Sequence, residues 1–263
     1  MRYGFCTGFA TTMTDAIDYD LLEKIKDAGY DFVEFPLMLI ESLSDQEFEA
    51  LLSELGRIGI DCDAVCNLFP ARVRVIGPDA DKAAIDSYLR KAFARASRMG
   101  VKKVVFGSSP SRQLPEGWTR QEGYRAFVSV IHEHLIPLCR AHGFHLMIEP
   151  IAADLCNLIN SLDDGMEIVQ MTDSPVVSLH ADSVHMLSIH EDADNILKYA
   201  PFIDHIHISE LDRVLPETSY TPELLKILKN IKAIQYDDTI SFEPMPSQHI
   251  DKALNLIKSF FES

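Results

Sequence analysis

HGFHLMIEP, residues 142–150, is the stretch on which the fold turns. Gly143 stands just past an amphipathic segment, where a chain leaving a helix favours a left-handed residue. The FHLMIE run behind it (144–149) has the length and apolar character of a buried strand. It closes on Glu149, and Pro150 stops it. The same junction recurs in AGYDFVEF, IGIDCDAV and MGVKKVVF, which put Gly29, Gly59 and Gly100 between a helix-like segment and a strand-like one. A helix–glycine–strand junction repeated in this way points to βα units in series.

Eight such units can be traced. Strands are expected at 3–6, 31–36, 60–66, 102–107, 144–149, 176–182, 203–209 and 239–243, with helices near 18–28, 44–57, 79–99, 120–142, 161–171, 189–200, 221–231 and 247–262. No linker rich in Pro, Gly or Ser interrupts them. Eight βα units within 263 residues therefore predict one (β/α)8 TIM barrel, a single domain over residues 1–263. The alternative, a doubly wound sheet, needs a glycine-rich phosphate loop after its first strand, and GFCTGF (4–9) supplies two glycines.

The formal net charge of −16 is spread along the helices and disfavours nucleic acid as a partner. MRYGFCTGF enters a strand at once, without the basic and apolar regions of a signal peptide, and no apolar stretch is long enough to span a bilayer. A cytoplasmic protein with no membrane partner is expected. Cys6, Cys62, Cys66, Cys139 and Cys156 are odd in number and lack a CxxC pair, so neither a disulfide framework nor a zinc ribbon is indicated.

In a barrel of this kind chemistry gathers where strands end. Glu149 ends the fifth strand, Asp182 the sixth (LHADSVHM), His207 the seventh (HIHISE) and Glu243 the eighth (SFEP). Period-two alternation places Met147, His180, His205 and Ser241 beneath them on the same face. Any one of the four could be a salt-bridged or capping group. Three carboxylates converging in a pocket, however, repel one another unless a cation sits among them. Three oxygen ligands and one imidazole suit Mn²⁺, Mg²⁺ or Co²⁺, with Zn²⁺ also admissible. His180 and His205, one layer deeper, read as hydrogen-bonded core residues. Trp118 and the GSSPSRQLPEGW segment (107–118) after the fourth strand read as a lid or as an ordinary surface loop.

The ordered series IEP, ADSVH, HIHISE followed by DR, and SFEP, together with DFVEFP and VCNLF on strands two and three, resembles the xylose isomerase-like sugar isomerase/epimerase superfamily. It is most similar to the ketose 3-epimerase branch typified by D-tagatose 3-epimerase. The resemblance implies one divalent metal, Mn²⁺ foremost, held by Glu149, Asp182, His207 and Glu243. Glu149 and Glu243 would also be the acid/base pair on opposite faces of a ketose, inverting the carbon next to its carbonyl through an enediolate. It further implies that His185 and Arg213 contact substrate oxygens and that Cys66 lies near the substrate. The partner is then a small sugar, and a homodimer or homotetramer is open.

The likeness thins after Glu149, where IAADL puts Leu155 at the position of a second substrate-binding glutamate in that branch. A different ketose, a phosphorylated or acidic sugar, and a related isomerisation all remain open. Two other readings compete: an endonuclease IV-like hydrolase, which needs histidine ligands from strands two and three, and a non-catalytic sugar-binding barrel, which needs no opposed acids.

Overall fold

The computed structural model describes residues 1–7, 17–245 and 249–263. Gly8 and Phe9 of GFCTGF, and the first two positions of the helix expected at 247–262, lie outside the described residues. Eight strands form a closed parallel barrel in sequence order: β1 (Arg2–Cys6), β2 (Phe32–Pro36), β3 (Asp61–Cys66), β4 (Lys103–Phe106), β5 (His145–Ile148), β6 (Val177–Asp182), β7 (Ile203–Ile208) and β8 (Thr239–Phe242). β1 pairs with β8, through Gly4 against Ser241 and Phe5 against Phe242, so the sheet has no free edge. All eight expected strands are found, displaced by a residue or two at their ends. The doubly wound alternative is excluded by the closure.

Helices α1 (Tyr19–Ala28), α2 (Leu37–Ser42), α3 (Asp45–Ile58), α4 (Lys82–Met99), α5 (Arg120–Val130), α6 (Ile136–His142), α7 (Leu162–Thr172), α8 (Ser183–Ser188), α9 (Asn195–Tyr199), α10 (Pro222–Ala233) and α11 (Ile250–Glu262) surround the sheet. Gly29, Gly59, Gly100 and Gly143 terminate α1, α3, α4 and α6 with φ between +72° and +91°, the left-handed conformation their placement predicted. Helix starts are fixed by side chains. Ser44 with Glu47, Thr119 with Glu122 and Ser161 with Asp164 each form a reciprocal capping box.

Two helical expectations are corrected. The single helix expected over 120–142 is broken into α5 and α6 by a π turn at Ile131–Leu135, where the Ile136 N–H donates to the Ile131 carbonyl. Pro137 explains it, because its ring would clash with the carbonyl four residues back and the wider turn relieves that contact. Of the helix expected at 189–200 only α9, Asn195–Tyr199, is α-helical, running into a 3-10 turn at Ala200–Phe202. A short helix not expected from the sequence, α8, precedes it and begins at Ser183 directly after β6, because Asp182 caps it.

The main apolar core lies between sheet and helices, with Phe5, Phe35, Phe69, Phe93, Phe106, Phe127, Phe144 and Phe242 fully buried. Inside the barrel, Cys66, Val105 and Met147 form a small separate apolar cluster. Glu34, His180, His205, His207 and Ser241 are also completely or almost completely buried. They make a polar half at β2 and β6–β8. At the N-terminal end, the Lys103 ammonium on β4 reaches across to Thr239 Oγ1 at 3.0 Å and to the Asp204 carbonyl, and pairs with Asp238 at 2.6 Å. One side chain thereby bridges opposite walls of the barrel floor.

Candidate active site

Asp182 ends β6 and caps α8, and the two duties use different oxygens. Oδ1 accepts the Val184 and His185 amides at 2.6 and 3.3 Å, and Oδ2 has no hydrogen-bond partner among the described residues. The helix start thus locks the carboxylate and leaves one oxygen for other work. His207 on β7 is held in the same manner. Its Nε2 lies 3.1 Å from Glu34 Oε1, while Nδ1 is buried, has no hydrogen-bond partner among the described residues, and lies 3.5 Å from Glu243 Oε2 and 3.9 Å from Asp182 Oδ2.

Glu149 follows β5. Its Oε1 lies 3.9 Å from Nε2 of both His180 and His185, and His185 Nε2 is 3.9 Å from Asp182 Oδ2. A Cβ built on Gly107, at the end of β4, would stand 1.9 Å from Glu149 Oε2, so the carboxyl rests in a cradle that only glycine leaves open. Arg112, fully buried in the loop after β4, ties this corner together: Nη1 donates to the Phe106 carbonyl at 3.0 Å and Nη2 to the Glu149 carbonyl at 2.6 Å.

Glu243 follows β8, with the Ser209 hydroxyl donating to its carbonyl at 3.1 Å. Its carboxylate is bound by Arg213 Nη1, which also lies 3.7 Å from Asp182 Oδ2, and Arg213 Nη2 is 3.3 Å from His185 Nε2. Arg213 takes a left-handed backbone (φ +58°), donates its N–H to the Glu210 carbonyl and accepts from the Met245 amide, each at 2.7 Å. The loop after β7 is thereby stitched to the segment after β8. His185, one turn into α8, accepts the Ala152 amide at Nδ1, 3.3 Å away.

The charges divide these groups sharply. Burial, with the Glu243 and Asp182 charges nearby, raises the Glu149 carboxyl to about 8 against the pull of His207. Burial also acts on Glu243, but His207 and Arg213 outweigh it and hold that carboxyl below its ordinary range. His207 is raised well above its usual value, its burial overcome by Glu34 and Glu243, and burial first of all lowers His185 and His180.

All four expected metal ligands therefore surround one chamber, together with His185 and Arg213. Two ligand groups meet there among the described residues, Glu149, Asp182 and His185, and Cys6, His207 and Glu243, the atoms of each lying within 4.8 Å of one another, with Asp182 Oδ2 3.9 Å from His207 Nδ1 between them. The orphaned Asp182 Oδ2 and His207 Nδ1 are the two atoms a cation would satisfy, and a set of carboxylates with one imidazole fits a hard divalent ion. Arg213 supplies part of the charge compensation that converging carboxylates require.

Cys66 lies on the inner wall, with Asn67 Nδ2 4.0 Å from its sulfur. His205 is hydrogen-bonded as expected, to Thr239 Oγ1 at 2.7 Å and Glu34 Oε2 at 2.9 Å. Neither ring nitrogen of His180 has a hydrogen-bond partner among the described residues. It is buried and packed against His207 at 4.2 Å between ring centroids, which leaves it a core residue behind His207 without the hydrogen bond. The 107–118 segment, expected as a lid or a surface loop, is hydrogen-bonded to the segment that follows β5. The Gln113 side chain donates to the Leu155 carbonyl at 2.7 Å, and the Leu114 amide to Asn157 Oδ1 at 2.7 Å, while Arg112 reaches underneath Glu149. Glu34, Arg112, Gly107 and Cys6 were not singled out from the sequence. The one available signal was the acid inside the apolar DFVEFP run.

Comparison with known proteins yields a match to the sequence model of the xylose isomerase-like TIM barrel family over residues 22–260. The L-ribulose 3-epimerase of Mesorhizobium japonicum is 24% identical over 238 residues, which cover 89% of this chain and 77% of that protein. The ketose 3-epimerase of Arthrobacter globiformis is 24% identical over 233 residues, 86% of this chain and 77% of that protein. Among solved structures, a D-psicose 3-epimerase from Clostridium cellulolyticum H10, crystallised with D-tagatose, has a TM-score of 0.82 at 18% identity, covering 100% of this chain and 98% of that one.

Proposed function

Because the chain belongs to the xylose isomerase-like TIM barrel family, we propose that it is a metal-dependent sugar epimerase that inverts the carbon next to the carbonyl of a ketose. The reading is carried by one observation: two buried carboxyls, Glu149 after β5 and Glu243 after β8, come to the Asp182–His207 pair in two separate groups, Glu149 with Asp182 and His185, and Glu243 with His207. Burial raises the first, while His207 and Arg213 lower the second, so the two are suited to unlike roles as acid and base. Inversion needs that pair, since a proton must leave one face of the carbon and another must arrive on the opposite face.

In this mechanism Glu243 accepts the proton from carbon and Glu149 delivers one to the other face, and the roles exchange in the reverse direction. Arg213 Nη1 and Nη2 lie between Glu243 and His185, where a guanidinium stabilises negative charge on the sugar oxygens. Neutral His185, with Nδ1 engaged by the Ala152 amide, offers Nε2 to a substrate hydroxyl. A divalent ion bound by Glu149, Asp182, His207 and Glu243, Mn²⁺ foremost, would supply the Lewis acidity that makes a proton beside a carbonyl removable. The L-ribulose and ketose 3-epimerases among the relatives favour carbon 3 of a ketose as the reacting centre. Leu155, half exposed at the rim, offers no side-chain hydrogen bond, so other groups must hold the far end of the sugar.

The test is solvent exchange. With Mn²⁺ in heavy water, at least one member of a ketose panel should take up deuterium beside its carbonyl. Glu243→Gln should lower that exchange by at least about 10²-fold. Absence of exchange across the panel, or full exchange in Glu243→Gln, overturns the assignment.

A further inference from the structure

Cys6 is the common member of two clusters of buried ligand atoms. With His207 and Glu243 it forms one, and with Glu34 and Cys66 the other, the atoms of each lying within 4.8 Å of one another. The Cys6 sulfur is 3.8 Å from His207 Nε2. Sulfur and nitrogen bound to one tetrahedral zinc, at about 2.3 and 2.0–2.1 Å, would be separated by ~3.6 Å. Cys6, Cys66, Glu34 and His207 are each 2% exposed or less.

A disulfide does not account for the pair. Cys6 ends β1 and Cys66 ends β3, with β2 between them, pairing Cys6 to Glu34 and Pro36 to Cys66. Two interstrand spacings put the Cα atoms beyond the ~7 Å a disulfide tolerates. The inward-pointing sulfurs nevertheless lie within 4.8 Å of one another and of a Glu34 oxygen, with the His207 imidazole beside Cys6, and can instead share a metal.

We propose that Cys6, Cys66, His207 and Glu34 form a second, sulfur-containing metal site on the inner side of His207, selective for a soft divalent cation such as Zn²⁺ or Cd²⁺. It cannot be filled together with the oxygen-rich site. A neutral imidazole has one lone pair, so a metal on Nε2 places the proton on Nδ1 and removes that atom as a ligand on the other side. Burial raises the Cys6 thiol, and at Cys66 the hydrogen bond with Cys6 pulls down but burial with the Glu34 and Glu243 charges outweighs it, so both thiols carry their protons at rest. Metal entry therefore sends one proton from each thiol to solvent, shifts the His207 proton from Nε2 to Nδ1, and forms two metal–thiolate bonds. Filling the inner site would switch off an enzyme that uses His207 Nδ1. That last consequence rests on the proposed function, whereas the site itself does not.

Titration of the intact protein with Cd²⁺ tests it, read by the ultraviolet thiolate-to-metal charge-transfer band and not by turnover. One equivalent should saturate the band, and Cys6→Ser and Cys66→Ser should each weaken binding by at least about tenfold, as loss of a ligand costs no less than loss of its supporting partner. Cys62→Ser should keep the band. X-ray absorption of the Zn²⁺-loaded wild type needs no variant and should find two sulfur neighbours at about 2.3 Å. No band, a band surviving in both Cys6→Ser and Cys66→Ser, or fewer than two sulfurs overturns the site. Protein preloaded with Mn²⁺ should release it as the band grows; a band that grows with Mn²⁺ retained overturns the mutual exclusion. A failed titration leaves the epimerase reading standing, and a failed exchange assay leaves the sulfur site standing.

Discussion

Glu34 carries more of the site than its mid-strand position suggests. Its two oxygens hold His205 and His207 at 2.9 and 3.1 Å, and those imidazoles in turn keep the carboxylate ionised against its complete burial. The arrangement fixes which ring nitrogen of His207 faces the mouth. Glu34→Gln keeps the shape, but its amide offers one acceptor where two imidazoles need one each. Mn²⁺ affinity measured by calorimetry should fall by about 10–100-fold; unchanged affinity would sever Glu34 from the metal. Glu149 makes a second prediction at this scale. Its carboxyl is raised in the folded state, so the native protein holds a proton that the unfolded chain releases as pH rises from about 4.5 to about 8. Stability from this group is present below that window and lost through it. Chelator-treated wild type should therefore melt progressively lower across the window, and Glu149→Gln should flatten that slope.

At the level of elements, α8 and the end of β4 are where secondary structure aims the chemistry. Asp182 divides its oxygens between the α8 amides and the chamber. Asp182→Asn retains the cap and Asp182→Ala loses it. The metal-free alanine variant should be less stable by about 1 kcal/mol than the asparagine one, with both losing metal affinity. Denaturation of the chelated proteins separates the two duties. At β4, Gly107→Ala introduces a methyl where Glu149 Oε2 now sits, without demanding an unusual backbone angle. Exchange activity should drop by about 10²-fold while the melting temperature moves little, because misplacing a reacting group by an ångström costs rate far more than stability.

Across the whole molecule, the barrel separates stability from chemistry by putting them at opposite ends. Lys103 bridges the floor from β4 to β8, and Asp182, His207 and the two glutamates occupy the other end. Lys103→Met should cost about 1–3 kcal/mol in urea denaturation, the range for leaving buried polar partners unmatched, and leave exchange activity in the folded protein intact. A proportional loss of activity would show that the ends are coupled. The same scale explains what could be read from the chain alone. Strand order, the glycine exits at Gly29, Gly59, Gly100 and Gly143, and the acids before Pro150 and Pro244 are local features, visible as periodicity and punctuation. Arg112 and Cys6 carry no such signal, because Arg112 meets Glu149 37 residues away and Cys6 meets His207 201 residues away. The α8 start at Ser183 is legible in principle from Asp182, which the sequence admits as a cap as well as a ligand, but nothing local shows that it does both.

The sequence by itself determined a barrel of eight βα units and which four polar side chains stand at the ends of strands five to eight, since both follow from residue periodicity and from the rule that strand ends form the mouth. Only the tertiary structure decided how those side chains are aimed. Glu34 reaches His207 across 173 residues once β1 and β8 close the sheet, and that contact turns one ring nitrogen toward the carboxylates and the other toward the sulfurs. The unlike surroundings of Glu149 and Glu243 arise in the same way, because burial and the placement of Arg213 beside Glu243 exist only in the folded chain.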